Sequence, residues 1–438
     1  MYRDVEVERN FSLESTYRTW VQVEIAISMA HCKLGLISPE TLTAIQGLEK
    51  LPIPNLEKFS SSVVNVGYPI IELLKEMNAQ LPEEHRGVLH LGATTQDIMD
   101  TALSLQVRQS GRLLLSYMEN LGDALALLVD THRKTLMPGR THAQQAVPTT
   151  FGLKCAVYLS ELTRHHQRIS RAIEEAGCLS LYGAAGTSAA MEGNHQQIRE
   201  MVAAHLGLRN PLTPWHASRD RLIEVTSQCA SLAVTLVRFA REIIDLSRSE
   251  VDEVMEPGGD HKGASSTMPQ KRNPVMSEAI IGIGLQAVGQ ASMMFRAGEV
   301  GHERAAGEWQ LEWKALPEVL LSTTTAAKIA VGLVQGLEIN TVQMQANLDV
   351  QQGTIMAEAY MIAFANKIGR EEAHDLVTRA SKNCVAEKVS LSVALETLAP
   401  DIAKQFEVWP LEPAKYLGNG DEVCTSTLQT WEKEKENT

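Results

Sequence analysis

Aromatic side chains are scarce: Phe, Trp and Tyr make up 5% of the chain. That suits helices packed with Leu, Ala, Val and Met. Sustained alternation of β-branched residues is missing too, which argues against a sheet protein. Six cysteines, Cys32, Cys155, Cys178, Cys229, Cys384 and Cys424, are scattered singly with no C-x-x-C pair. This excludes a disulfide framework and a zinc ribbon, and fits a reducing compartment. Excess positive charge is also absent. A formal net charge of −13 argues against nucleic acid or an anionic membrane as the main partner. It leaves room for a small anionic substrate, because a local basic site can sit on an acidic protein. The N-terminus MYRDVEVERNFSLESTYRTW has no basic-then-apolar signal pattern, and no apolar run approaches bilayer-spanning length. A cytoplasmic location is the expectation.

What is present is a soluble globular composition, 44% hydrophobic and 21% charged, over 438 residues, enough for two or three domains. No proline occurs between Pro214 and Pro257. Within that span Leu222, Val225, Cys229, Leu232, Leu236, Phe239, Ile243 and Leu246 step by three and four, a heptad-like stripe. Leu114, Met118, Leu121, Leu125 and Leu128 form a similar stripe, and a third proline-free stretch follows Pro274 as far as Pro317. The expected fold is all-α, a bundle of long helices whose apolar faces favour oligomerisation. The expected division is an N-terminal helical domain (1–104), a central long-helix bundle (105–352) and a C-terminal helical domain (353–438).

The densest chemistry lies in GGDHKGASSTMPQKRNP (258–274). Gly258, Gly259 and Gly263 let the backbone approach a ligand closely. Asn273 followed by Pro274 reads as an N-cap with proline at the first helical position. Ser265 and Ser266 thus sit on a flexible loop near Lys271 and Arg272. There a serine can be stabilised as an alkoxide, or backbone donors can meet a carboxylate. From residue types alone the stretch reads equally as a polar interhelical loop. It is not a P-loop, since the lysine lies on the wrong side of Gly263.

GRTHAQQAVPTTFG (139–152) places His142 ahead of a new apolar helix. Histidine is suited to proton exchange near neutral pH, though a loop histidine is also an ordinary surface residue. In HLGATTQDIMDTA (90–102), Thr94, Thr95 and Gln96 are candidates for binding carboxylate oxygens, and Asp97 reads as a local helix cap. GAAGTS (183–188) lacks the spacing of a dinucleotide-binding loop. HERAAGEWQLEW (302–313) lacks zinc-helix spacing, and His165-His166 has no third ligand in view. Neither a metal nor a cofactor is expected.

Taken in order, His90 to Thr101, His142, and Ser265 to Asn273 resemble the three polar loops of the fumarase/aspartase superfamily. The family pattern S-S-x-M-P-x-K-x-N stands here as Ser265, Ser266, Thr267, Met268, Pro269, Gln270, Lys271, Arg272 and Asn273. Glu278 falls where the family carries an acidic residue, and Ala264 where a glycine is usual. The resemblance covers nearly the whole chain. It implies three helical domains, a homotetramer, and active sites combining loops from different subunits. It also implies proton removal beside a carboxylate, an enediolate-like dianion, and loss of a leaving group from a small di- or tricarboxylate. Ser265 would be the base, Lys271 and Asn273 would stabilise the dianion, and His142 would face the leaving group. His90, Thr94, Thr95 and Gln96 would hold a carboxylate, with Thr141, Ser266, Met268 and Glu278 also at the substrate.

PWHASRDRL (214–222), LYGAAGTSAA (181–190) and HERAAGEWQLEWKALPE resemble the 3-carboxy-cis,cis-muconate cycloisomerase branch most. The serines and further arginine with which adenylosuccinate lyases contact a nucleotide phosphate are absent from the last segment. His142 stands where those cycloisomerases tend to carry an aromatic residue. That keeps open a C–N lyase, or an epimerase acting on an N-substituted aspartate such as iminodisuccinate. An inactive helical scaffold is the remaining alternative; the retention of Ser265, Lys271, Asn273 and His142 speaks against it.

Overall fold

The computed structural model describes residues 2–50, 52, 59–61, 63–64, 67–191, 193–259, 263, 268, 270–304 and 307–436. In chain order it contains α1 Val5–Asn10, α2 Leu13–Lys33, α3 Pro39–Gly47, α4 Ile70–Gln80 and α5 Thr95–His132. A hairpin of β1 Leu136–Thr141 and β2 Gln144–Thr150 follows, then α6 Phe151–Ala176, α7 His195–Leu206 and α8 Asp220–Leu246. β3 Val254–Met255, α9 Val275–Ala297, α10 Glu308–Gln335 and β4 Glu338–Ile339 come next. The chain closes with α11 Thr341–Asp349, α12 Ala357–Ile368, α13 Arg370–Glu387, α14 Leu391–Leu398 and α15 Gly420–Glu436. The fold is all-α.

Helix starts follow the local sequence. Ser12, Ser38 and Ser390 each accept a backbone N–H three residues on, from Ser15, Thr41 and Val393, as N-cap hydroxyls do. Every residue of the Leu222–Leu246 stripe is buried along α8. In α5 Leu114, Met118, Leu121 and Leu125 are buried and Leu128 is half-buried. That helix has 38 residues, about 57 Å at the rise of an α-helix.

Three expectations are corrected. The stretch from Pro274 to Pro317 is not one helix: α9 ends before Gly298, and α10 runs through Pro317. A Cβ at Gly298 would lie 2.6 Å from the Ile223 side chain, so glycine permits a close approach there. Second, α9 begins one residue late. The Glu278 N–H donates to the Pro274 carbonyl at 3.0 Å, so Pro274, not Asn273, holds the cap position. Third, α8 and α10 are long and apolar enough, by length and composition, to cross a membrane, yet 56% and 67% of their most apolar windows are buried inside the protein.

Backbone contacts gather into two compact units. One comprises Met1–Tyr117, His165–Leu236 and Gly282–Lys328; the other comprises Met118–Arg164, Val237–Ile281 and Ile329–Thr438. The first expected domain boundary, at 104, lies inside the unbroken helix α5. At the second, Gln352 and Gly353 both have positive φ, 55° and 79°, in a turn between helices. The first unit's core joins Trp20, Ile27, Ile45, Leu73, Met77, Ile98, Leu181 and Val202. There α5 and α6 touch so closely that a Cβ at Gly111 would sit 2.4 Å from Ile173. The second unit's core is built from α12, α13 and α14 around Phe364, Leu376 and Leu391, with Phe364 stacked on Trp409 at 6.2 Å.

The hairpin, also in the second unit, pairs Leu136 with Thr150 and Thr141 with Gln144, with a bulge between Gly139 and Arg140. Its central residues, His142 and Ala143, have φ of 50° and 62°. Positive φ at both positions is the pattern of the tight hairpin turn. Asparagine and glycine usually supply that pattern, so THAQ carried no turn signal in the sequence.

Candidate active site

The described site residues expected from sequence divide between the units: His90, Thr94, Thr95 and Gln96 in the first, and Thr141, His142, Met268, Lys271, Asn273 and Glu278 in the second. In the first unit Asp97 organises everything around it. One of its oxygens accepts from the Tyr182 N–H at 3.0 Å and from His216 Nε2 at 2.7 Å. The other accepts from the Gly183 N–H at 2.9 Å and the Thr94 N–H at 3.0 Å. The last of these is the reach-back half of a capping box. The other three bonds tie the segment before α5 to the GAAGTS loop and to His216. Asp97 is therefore more than the local cap read from sequence.

With the loop fixed, Thr94 turns its hydroxyl to Arg304, whose guanidinium donates to Thr94 Oγ1 at 2.7 Å and to the Ala184 carbonyl at 3.4 Å. Three polar loops thus meet around one cation, and two of them, GAAGTS and HERAAGEW, had been matched to no chemistry. His90 stands at φ 63°. Its backbone N–H and ring Nδ1 both engage the buried carboxylate of Glu24, at 3.1 and 2.6 Å. A carboxylate only accepts, so Nδ1 carries the proton and Nε2 is left for another partner. Thr94 and Thr95 are half-buried.

Gln96 differs. It is fully buried, and its amide nitrogen donates to Asp100 at 3.1 Å and to the His216 carbonyl at 2.9 Å. Its side chain braces the loop from beneath and does not face solvent. Below it lies a buried ion triad. Arg219 donates to Asp100 at 2.8 and 3.1 Å and to Glu312 at 2.9 and 2.5 Å. Burial pulls the Arg219 pKa down, but two carboxylates share this one guanidinium and together raise it above its ordinary value. Burial, aided by the like charge of Asp100, pushes the Glu312 carboxyl above its usual value against the pull of Arg219.

In the second unit Thr141 and His142 occupy the exposed hairpin tip. The hairpin is held by Arg140, which grips the buried Glu253 carboxylate through two bonds, at 2.8 and 2.6 Å. Asn347 completes that site, donating to Glu253 at 2.8 Å while its carbonyl accepts from Gln145 at 2.9 Å. A groove of about 1120 Å³ runs beside the hairpin, lined by Arg140, Thr141, Lys154, Tyr158, Arg238 and Tyr416 among others.

Also in this unit are Met268, Lys271, Asn273 and Glu278. Lys271 is exposed, and its backbone N–H donates to the Met268 carbonyl at 3.1 Å. Asn273 is half-buried, and Glu278 is exposed on the first turn of α9. Ser265 and Ser266 lie outside the described residues. Arg272 is spoken for structurally: it pairs with Glu338, whose carboxyl it holds below the usual glutamate value through their hydrogen bond. Sequence reasoning missed Glu24, Glu256, Arg304 and Glu338. Only Arg304 carried a local signal, as the one cation of a polar loop. Among the described residues no group of three or more His, Cys, Asp or Glu is arranged to hold a metal ion.

Each unit thus carries groups suited to carboxylates: hydroxyls and Arg304 in the first, and Lys271 and the histidine of the hairpin tip in the second. A lyase family model matches residues 6–289. The chain is 35% identical to the 3-carboxy-cis,cis-muconate cycloisomerase of Pseudomonas aeruginosa, over 93% of this chain and 90% of that protein. It superposes on the 3-carboxy-cis,cis-muconate lactonizing enzyme of Pseudomonas putida with a TM-score of 0.93 at 32% identity, covering 99% of this chain and 98% of the other. The fumarate lyase of Mesorhizobium sp. BNC1 matches with a TM-score of 0.90 at 33% identity, over 98% of both chains. The chain belongs to the fumarase/aspartase superfamily, as an enzyme of the lyase or isomerase type.

Proposed function

We propose that this enzyme is a cycloisomerase of 3-carboxy-cis,cis-muconate. The observation that carries this reading is full-length likeness to enzymes of that name, in sequence and in fold. The reaction is an isomerisation. One substrate carboxylate adds an oxygen to the conjugated double bond, closing a lactone. The displaced electron pair becomes the enediolate of the neighbouring carboxylate, and one proton then adds to the carbon beside it. In reverse, a base removes that proton and the ring oxygen leaves.

Ser265 is assigned the proton transfer. Lys271 and Asn273 are assigned the doubly charged intermediate, where donors aimed at developing charge lower the barrier most. Thr94 and Thr95, with His90 and the newly recognised Arg304, are assigned a substrate carboxylate. Ser266, Met268, Thr141 and Glu278 are assigned to the substrate surroundings. His142 is assigned the leaving oxygen of the reverse direction, which an acid there would protonate.

We further assign the family's three-domain, homotetrameric assembly, with loops from different subunits in each active site. Apolar side chains stand exposed on the long helices, Leu127 on α5 at 67%, Val234 on α8 at 53% and Phe295 on α9 at 57%, and are available to such an interface.

The test is incubation with 3-carboxy-cis,cis-muconate, following loss of the diene absorbance and appearance of the lactone. Lactone formation that disappears in Ser265→Ala is the expected outcome. If lactone never forms, while fumarate is released from an N-substituted succinate or iminodisuccinate loses optical activity without fumarate, the substrate assignment is wrong.

A further inference from the structure

The segment that carries Lys271 and Asn273 is tied at its neck by a carboxylate from a distant part of the chain. Glu338, on β4, accepts from the Gly258 N–H at 3.1 Å and from two nitrogens of Arg272 at 3.1 and 2.9 Å. The same guanidinium donates to the Glu256 carbonyl at 2.7 Å. The Glu256 carboxylate in turn accepts from the N–H groups of Met276 and Ser277, at 2.9 and 2.7 Å, and so caps α9. A second tie lies further in: the Asn273 N–H donates to the Gly263 carbonyl at 2.9 Å. Both crossings are tight. A Cβ at Gly258 would lie 3.2 Å from both Arg272 and Glu338, and one at Gly263 would lie 2.5 Å from the Asn273 carbonyl oxygen.

Lys271 and Asn273 flank Arg272 in sequence, so fixing the guanidinium fixes the backbone from which both project. Lys271 is exposed and has no ion pair among the described residues, so its direction comes from that backbone. A planar guanidinium held by both oxygens of one carboxylate transmits orientation in a way that a single-point contact does not.

We propose that Glu338, acting through Arg272, is a positioning residue: it holds the neck so that Lys271 and Asn273 point at the charge that develops on substrate. This rests on the catalytic assignment of those two residues. The pair is half-exposed, so screening by salt weakens it.

The variants are Glu338→Ala and the conservative Glu338→Gln, which keeps an oxygen for the Gly258 N–H and one Arg272 nitrogen. Expected is a fall in kcat of about 10-fold or more in Glu338→Ala with little change in KM, since misaimed groups cost rate before they cost binding. Partial recovery is expected in Glu338→Gln, and wild-type kcat should fall with added salt. Amide hydrogen exchange by mass spectrometry over residues 270–277 should quicken in Glu338→Ala and slow again in Glu338→Gln. A merely structural role predicts a lower melting temperature with kcat unchanged well below it; that result overturns the proposal. Unchanged exchange over 270–277 in Glu338→Ala overturns it as well. A wild-type enzyme that turns over no carboxymuconate refutes the substrate assignment instead, and the exchange rates then decide whether Glu338 holds the neck.

Discussion

Asp97→Asn keeps the shape of the Asp97 side chain and changes only what it offers to its neighbours. Four N–H donors converge on the carboxylate: Tyr182 and His216 on one oxygen, Gly183 and Thr94 on the other. Asparagine must place an NH2 group on one side. Next to Gly183 and Thr94 it would face two backbone N–H groups that cannot turn away. On the other side only the Tyr182 N–H is fixed, because His216 can move its proton to the other ring nitrogen and accept. Ser180, whose hydroxyl reaches the same oxygen at 3.4 Å, can also rotate. The asparagine therefore settles with its NH2 toward Tyr182, and one buried N–H loses its acceptor. That costs about 1–3 kcal/mol, and loss of charge from the remaining bonds brings the total to roughly 2–4 kcal/mol. Urea unfolding measures the total. Hydrogen exchange on peptides covering 179–186 and 90–97 measures its location, with the larger gain expected at 179–186. A variant within about 0.5 kcal/mol of wild type, an ordinary surface value, and with unchanged protection would refute the claim that this carboxylate organises the loops.

Arg140→Leu leaves the buried Glu253 carboxylate with Asn347 as its remaining side-chain donor in the network described, and is expected to cost about 3–5 kcal/mol in urea unfolding. Arg140→Lys should recover less than half, because an ammonium does not match both oxygens. Glu312 has a raised pKa in the folded state, so the native protein binds more protons there than the unfolded chain does. Its contribution to stability is therefore present below the unfolded glutamate value of about 4.3 and is lost as pH rises through the higher folded value; Glu312→Gln should remove that slope from a series of unfolding midpoints. Gly122→Ala would place a Cβ 2.1 Å from the Trp431 ring, whose indole N–H donates to Asp123 at 2.9 Å. Overpacking of this kind costs about 1–3 kcal/mol or more, and should speed hydrogen exchange along α15.

The long helices were legible because burial along one face imposes a three-and-four spacing on consecutive residues, as in α8. The hairpin was not, because its turn rests on His142 and Ala143 at positive φ and not on asparagine and glycine. The motif loops could be read as patterns, and that reading singled out Thr94, His142 and Lys271 as candidates. It undervalued Asp97, whose partners Tyr182, Gly183 and His216 lie 85, 86 and 119 positions away. Glu24, Arg304 and Glu338 escaped notice for the same reason, since each matters through a residue remote in sequence. Gln96 shows the converse. Its place in a polar run suggested a ligand contact, but in the first turn of α5 it is fully buried beside Asp97, while Thr94 and Thr95 are half-buried.

Solvent exchange tests proton removal beside a carboxylate most directly. Wild-type enzyme turning over 3-carboxy-cis,cis-muconate in D2O should place deuterium on the lactone carbon beside the carboxylate. The same enzyme should wash deuterium into unlabelled lactone at that carbon. Ser265→Ala should slow both by about 10²–10⁴-fold with its helical circular dichroism unchanged. Exchange at the wild-type rate in Ser265→Ala, or turnover that leaves that carbon free of deuterium, would contradict the assignment.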